Sequence, residues 1–386
     1  MSEEPLINGF LPDKNPLKLL NTNDKSLNYL HEITSALPKL LLTNQIRLKV
    51  KNLNFDSLDI RGLSQRELKC LNVQLSFLAH AYIWGDKTPN TKLPSPLSEL
   101  WVKVSNNLGR PPVLSYASYC LDNWHKIDPN KAISLDNVAL NYNFLGGIDE
   151  DWFVTIHICI EYAARGAISS THRIVHLLLD DSQPENIKKE LVKILESLQE
   201  VNFIFRKMPD KCDPYIYYHR VRPYIFGWKN NPALPNGLIY ENCFDDVPQL
   251  FRGETGAQSS IIPTLDALFN VKHERDELRD YLDEMKNYMP PEHRKFIDYV
   301  ESNSKLSEFI EKNQDLQEVF DLCLSEISAF RSQHLQYASD YIHKQNTKNT
   351  LFGTGGSVVR GTGGTPFMRY LKKHRDETDK SKNRKS

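Results

Sequence analysis

Apolar residues recur three and four apart through most of this 386-residue chain, while no alternating period-two run persists long enough to support a large sheet. That spacing restricts the chain to helices packed on helices, so the expected fold class is all-α. Helices are predicted over residues 27–42, 63–82, 113–124, 149–168, 185–207, 260–268, 273–288, 291–301 and 315–343. Asp24, Ser64 and Asp149 stand where N-caps belong. Pro89, Pro94 and Pro96 fix backbone angles and remove donors, which makes residues 86–96 a loop. Residues 126–140 are polar and turn-rich, and Gly146-Gly147 follow, so a small N-terminal helical domain with its linker is expected over 1–144. It would pack on a larger helical domain over 145–386, with a mobile Gly-rich loop at 347–366 and a basic C-terminal tail.

Charge and cysteine usage narrow the function classes. A net charge of -1 gives no electrostatic reason to expect nucleic acid or an anionic membrane as partner. The tail from Lys372, with seven Lys and Arg against three acids, reads as a solvated end. Cysteines at 70, 120, 159, 212, 243 and 323 lie 31 or more residues apart, which suits reduced thiols in the cytoplasm better than a zinc cluster or a disulfide framework. The first residues lack a basic segment followed by an apolar one. The most apolar run, 153–164, is too short for a membrane span and carries His157 and Glu161.

Few residues are then left to carry chemistry. His334 stands in the helical stripe formed by Ile327, Phe330, Tyr337 and Tyr341. By itself a histidine there reads first as a core residue with both nitrogens satisfied. His157 lies on another apolar helix, four residues before Glu161. Between Pro214 and Trp228 the chain gathers Tyr217, Tyr218, Tyr224, Phe226 and Trp228 around Arg222. That is either a polar-edged core or an apolar box whose guanidinium fork holds a carboxylate. Gly353-Thr354-Gly355-Gly356, echoed by Gly361-Thr362-Gly363-Gly364, lacks the Lys-Ser or Lys-Thr of a phosphate loop and the last glycine of a dinucleotide fingerprint. It reads as a mobile lid or as a disordered linker. The chain has no His-Glu-x-x-His and no serine nucleophile elbow. Single histidines on apolar helices, with one cation among aromatics, are parts that a haem pocket would use, with one imidazole for iron, an apolar cavity and few polar groups on the open side; by composition alone this is the minority reading beside an ordinary core.

Over nearly its whole length the chain resembles the indoleamine 2,3-dioxygenases, and in particular their fungal branch. The pieces that carry the resemblance stand in the family's order: Gly227-Trp228-Lys229-Asn230-Asn231-Pro232, Gly237-Leu238-Ile239-Tyr240-Glu241, Gly256-Ala257-Gln258-Ser259-Ser260, Tyr288-Met289-Pro290-Pro291-Glu292-His293-Arg294, Arg331-Ser332-Gln333-His334-Leu335 and Gly361-Thr362-Gly363-Gly364-Thr365. The resemblance implies one haem b per chain, ferrous when active, with O2 as co-substrate. It implies L-tryptophan or a related indoleamine as substrate, an electron donor that keeps the iron reduced, and a cytoplasmic monomer. The implied reaction adds both atoms of dioxygen across the indole 2,3-bond and gives N-formyl-L-kynurenine, the first step of the kynurenine pathway to de novo NAD.

By the same resemblance His334 matches the proximal iron ligand, and Arg222 matches the arginine that holds the substrate carboxylate. Thr362, between Gly361 and Gly363, matches the loop threonine that closes around the amino-acid end of the substrate. Tyr116 and Phe153 match walls of the indole pocket, Thr255 and Gly256 a loop at the haem edge, and Arg331 with Asp266 a pair near the proximal side. Two positions depart from the pattern. Tyr217 and Tyr218 stand where two phenylalanines are common, and their hydroxyls need partners. His157 stands where some relatives carry serine; the related tryptophan 2,3-dioxygenases meet the indole N–H with a distal histidine, and a neutral His157 would do likewise. Two other readings remain: a relative that binds haem and O2 without catalysis, as an oxygen carrier or sensor, or a weakly active paralogue using another indole. Arg222 and the glycine-rich lid argue against an oxygen carrier, which needs no carboxylate clamp.

Overall fold

The computed structural model describes residues 7–55, 58–180, 183–273, 277–346 and 368–382. It is mostly helical, 62% helix and 4% strand, as the periodicity predicts. Asp24 caps the helix Lys25–Ser35 by accepting from the backbone of Ser26 at 2.8 Å and Leu27 at 3.0 Å. Ser64 opens Gln65–Trp84 with a reciprocal box: its hydroxyl accepts from the Glu67 backbone, and the Glu67 carboxylate accepts from the Ser64 backbone. That helix is buried along most of its length and organises one apolar cluster, which also contains Trp101, Trp124, Phe144, Trp228 and Tyr240. A second cluster is built from Ile148–Ala163, Arg165–Leu179, Pro184–Phe205 and Gln317–Ala338. The two do not follow a single cut in the chain, since Ile225, Leu234 and Tyr240 pack in the first and Phe10 packs in the second.

Three sequence expectations give way to tertiary contacts. The helix expected over 113–124 is a π-helical turn, Ala117–Leu121, followed by a strand, Trp124–Lys126, that pairs antiparallel with Val138–Leu140. Asn123 accounts for part of this: its side chain accepts from the Tyr142 backbone and donates to the Tyr142 carbonyl, both at 2.9 Å, and so competes with a helical ladder. The helix expected over 149–168 is two helices, because Ser197 reaches into the junction, donating to the Ala163 carbonyl and accepting from the Ala167 backbone. Its N-cap position is Gly147, and Asp149 instead accepts from the Asp213 backbone at 2.7 Å. The basic tail begins as a helix, Met368–Lys380, packed on Gln317–Ala338, with Glu377, Thr378 and Ser381 buried. A charge count reads such a segment as solvated, because long cationic side chains mask a face made of short polar ones.

π-Helical turns mark this fold. Besides Ala117–Leu121, Tyr217–Val221 and Ser339–His343 each take the wider helix. They directly follow Tyr116, directly precede Arg222 and extend the helix of His334. Each inserts a residue into the helical register and re-aims the side chains beside it.

Candidate functional site

His80 and His334 both lie on long apolar helices, yet their surroundings differ. Nδ1 of His80 lies 2.7 Å from the Tyr224 carbonyl, and Nε2 accepts from the Leu114 backbone at 3.0 Å. Both nitrogens are used, and burial pushes its pKa down to about 3. His80 is the satisfied core histidine. At His334 no hydrogen bond to either nitrogen forms among the described residues. Its ring faces a cavity of about 300 Å³, and burial, then the nearness of His157, lowers its pKa to about 4. A neutral imidazole with no hydrogen-bond partner, directed at an internal space, is free to be a ligand.

The wall around His334 is apolar, with Leu198, Val201, Phe205, Phe330 and Ile342. The Phe205 and Phe330 rings stack at 4.8 Å, which holds that side of the cavity in shape. At its edge Arg331 donates to Asp266 at 2.6 Å and to the Thr378 hydroxyl. Asp266 also meets His273 Nε2 at 3.1 Å, and His273 Nδ1 meets Glu377 at 2.5 Å. Burial alone would raise the Asp266 carboxyl, but Arg331 and His273 together hold it at about 2. Burial opposes a charge on His273, yet Asp266 and Glu377 raise its pKa above the ordinary value. His273, His374 and Glu377 gather within 4.8 Å, a metal-like spacing. Both His273 nitrogens are already engaged by carboxylates, however, so this cluster is better satisfied by a proton than by an ion.

The other side of the cavity carries His157, Phe153, Tyr116, Tyr217, Glu254, Thr255 and Gly256. Nδ1 of His157 lies 2.7 Å from the Phe153 carbonyl one turn back. A carbonyl only accepts, so Nδ1 carries the proton; burial lowers the His157 pKa and keeps the ring neutral, leaving Nε2 an acceptor. Phe153 and Tyr116 pack against its ring at 4.5 and 5.9 Å. The Tyr116 hydroxyl donates to Glu161 at 2.9 Å, and Ser259 donates to the same oxygen at 2.7 Å. The Tyr116 backbone in turn donates to the Gln258 side chain, which donates to the Gly253 carbonyl, both at 2.9 Å. One network therefore ties the His157 helix, the Tyr116 π turn and residues 253–260 together.

Of the sequence-predicted residues, Tyr116, Phe153, His157, Tyr217, Thr255, Gly256, Asp266, Arg331 and His334 all line this cavity. Arg222 and Tyr218 are buried beside it but are not in its lining; the Arg222 guanidinium lies 4.8 Å from the Phe226 ring centre and 5.2 Å from that of Tyr218. Gly361, Thr362 and Gly363 lie outside the described residues. Sequence reasoning gave no role to Glu161, Glu254, His273 or Glu377. The available signal for Glu254 was a lone carboxylate in the otherwise small-residue run Gly253-Glu254-Thr255-Gly256-Ala257.

An all-helical fold that turns two neutral imidazoles, His334 and His157, into one apolar cavity is suited to a cofactor held by an axial imidazole. Comparison with known proteins makes the class particular. The family described as indoleamine 2,3-dioxygenase matches residues 6–381. Indoleamine 2,3-dioxygenase 1 of Rattus norvegicus is 34% identical over 361 residues, covering 90% of this chain and 88% of the relative. Indoleamine 2,3-dioxygenase of Saccharomyces cerevisiae is 32% identical over 413 residues, covering 96% and 90%. Indoleamine 2,3-dioxygenase nanC of Aspergillus nanangensis is 29% identical over 394 residues, covering 96% and 94%. The chain belongs to the indoleamine 2,3-dioxygenase family and is an oxidoreductase, a haem dioxygenase of that type. The residues fit the cofactor: His334 is neutral, without a hydrogen-bond partner among the described residues, and turned into a space walled by apolar side chains. No helix among the described residues is long and apolar enough to cross a membrane.

Proposed function

We propose that the chain converts L-tryptophan and O2 into N-formyl-L-kynurenine, the entry step of the kynurenine pathway towards NAD. The observation that carries this reading is the pair of histidines facing one apolar cavity, one without hydrogen bonds among the described residues and one with its acceptor nitrogen set by the Phe153 carbonyl. Haem b in its ferrous form, held through His334 and kept reduced by an electron donor, would supply the binding and activation of dioxygen. The protein's own side chains do the rest. His157 Nε2 accepts the indole N–H and orients the ring. Phe153, Tyr116 and Tyr217 enclose the indole and exclude water, the Phe153 and Tyr217 rings lying 4.7 Å apart. Arg222 takes the substrate carboxylate, for which its planar fork is matched, and so fixes the indole 2,3-bond over the oxygen site. Thr362 closes the amino-acid end. Arg331 and Asp266 brace the opposite edge. The protein acts as a monomer. All six cysteines are unpaired, as a reducing compartment keeps them, and this supports the cytoplasm as its location.

The test is growth of N-formylkynurenine absorbance when reduced, haem-loaded protein meets L-tryptophan in air. Product at a rate set by protein concentration is the expected result. A full Soret band with no product from L-tryptophan overturns it: another indole consumed would mark a paralogue, and reversible O2 binding alone a carrier or sensor.

A further inference from the structure

A second pair of histidines, outside the lining of the cavity, stands on the helix Arg165–Leu179. His172 and His176 are four residues apart, the spacing that brings two side chains onto one helix face and that metal-binding helices use for two imidazoles. Here the rings converge: their centres are 4.4 Å apart, and His172 Nε2 stands 3.1 Å from His176 Nε2. Two nitrogens bound to one zinc ion, each at about 2.0–2.1 Å, stand about 2.9–3.4 Å apart, so the pair already has the span of a chelate. The helix Pro291–Asn303 supports this arrangement. His172 packs on Phe296 and Tyr299 with ring centres 6.2 and 6.3 Å away, and the Tyr299 hydroxyl lies 3.4 Å from His176 Nε2. Burial, then His176 and Arg173, lowers the His172 pKa, which keeps that ring neutral and its lone pair available. A hydrogen bond between the rings needs one Nε2 to carry the proton. A metal ion takes both Nε2 lone pairs and leaves that proton on Nδ1, so no charge is lost from either ring.

We propose that His172 and His176 chelate a transition-metal dication of the zinc and copper class through their Nε2 atoms, with the Tyr299 hydroxyl as the hydrogen-bond partner of a metal-bound water. The class follows from the donors, since imidazole suits zinc, copper and nickel whereas Mg2+ and Ca2+ require oxygen. Nearby charge gives a hard cation no help: Arg173 and Lys193 both pair with Glu190, at 3.6 and 2.6 Å, so the charge of that carboxylate is already answered. The cluster of His273, His374 and Glu377 differs, because Asp266 and Glu377 take both His273 nitrogens. His176 is exposed, so an ion reaches the pair from solvent and water completes its shell. Because Tyr299 belongs to a second helix, a bound ion ties Arg165–Leu179 to Pro291–Asn303 and stabilises the folded chain by mass action.

The experiment titrates ZnCl2 into the haem-loaded, full-length protein, with any affinity tag removed, and reads binding by calorimetry together with the melting temperature. One Zn2+ per chain is expected, with a melting temperature that rises with zinc concentration and a Soret band that stays where it was. His176→Gln and His172→Asn should each weaken zinc by about tenfold or more, since a chelate then loses one of its two anchors. Tyr299→Phe should cost about twofold to fivefold, the range of one hydrogen bond. His273→Gln should bind zinc as the parent does, and Mg2+ at the same concentration should not compete. Absence of zinc binding, full affinity in both His172→Asn and His176→Gln, loss of the site in His273→Gln, or displacement by equal Mg2+ would each overturn the proposal. So would a Soret shift that tracks zinc occupancy, because the ion would then be entering the cavity of His334. His176 is exposed, so His176→Gln carries the test alone should His172→Asn lose its packing on Phe296.

Discussion

The two sides of the cavity treat charge in opposite ways. Beside His334, every buried acid has a cation: Asp266 is held at about 2 by Arg331 and His273, once their attraction has overcome burial, and Glu377 meets His273. Beside His157, burial governs, and Glu161 and Glu254 are raised to about 7 and about 8. Among the described residues Glu161 receives only hydroxyl donors, from Tyr116 and Ser259, and its second oxygen is buried without a hydrogen bond. A paired network is a scaffold, whereas acids raised by burial sit where desolvation outweighs the interactions they make. The difference teaches where rigidity and where selectivity reside: the His334 side holds, and the His157 side chooses.

Substitution at the two histidines and at Arg222 tests that division most severely. His334→Ala should lose most of the Soret band while the helical fold is retained; unchanged haem content would remove His334 as the ligand. Arg222→Ala should keep its haem and lose about 100-fold or more in kcat/KM for L-tryptophan, since a buried charge-assisted pair would be broken. Equal turnover would return Arg222 to a structural role against Phe226 and Tyr218. His157→Ala should cost less, about threefold to tenfold in kcat/KM, the range of one neutral hydrogen bond. A loss of haem in that variant would blur the comparison, because it would make the choosing side a holding side as well.

How much of this was legible in the sequence depends on whether a feature is local. The helices announced themselves through periodicity, and the caps Asp24 and Ser64 through their chemistry. His334 did not, because a stripe carries no record of whether the imidazole will find partners; His80, on an equally apolar helix, found two. Only the ordered motifs told them apart. The π turns at Ala117–Leu121 and Tyr217–Val221 leave no periodic trace in five residues, yet they flank Tyr116 and Arg222. The His273–Glu377 contact joins residues 104 apart, and the charge count of the tail hid it. Glu254 was equally hidden, since its burial depends on Gly227 and Gly253 crossing, a tertiary event.

The smallest effect expected concerns pH, and its sign follows from His273. Its pKa is raised in the folded chain, because Asp266 and Glu377 outweigh burial and Arg331. Below the ordinary histidine value, about 6.5, folded and unfolded chains are both protonated and the whole stabilisation is present; it is lost as pH rises through the folded value. The folded chain alone holds the proton between those values, so stability falls with increasing pH across that window. His273→Gln removes the titrating group while leaving Arg331 on Asp266. The parent protein should therefore melt higher than His273→Gln by about 2 °C at pH 6, with the gap closing on the alkaline side. Glu161 and Glu254, also raised, lower stability with pH in both proteins alike and so cancel from the difference. A gap that stays constant from pH 6 to pH 9 would mean that His273 is neutral between its two acids, and that the His334 side is not the fully paired scaffold its geometry describes.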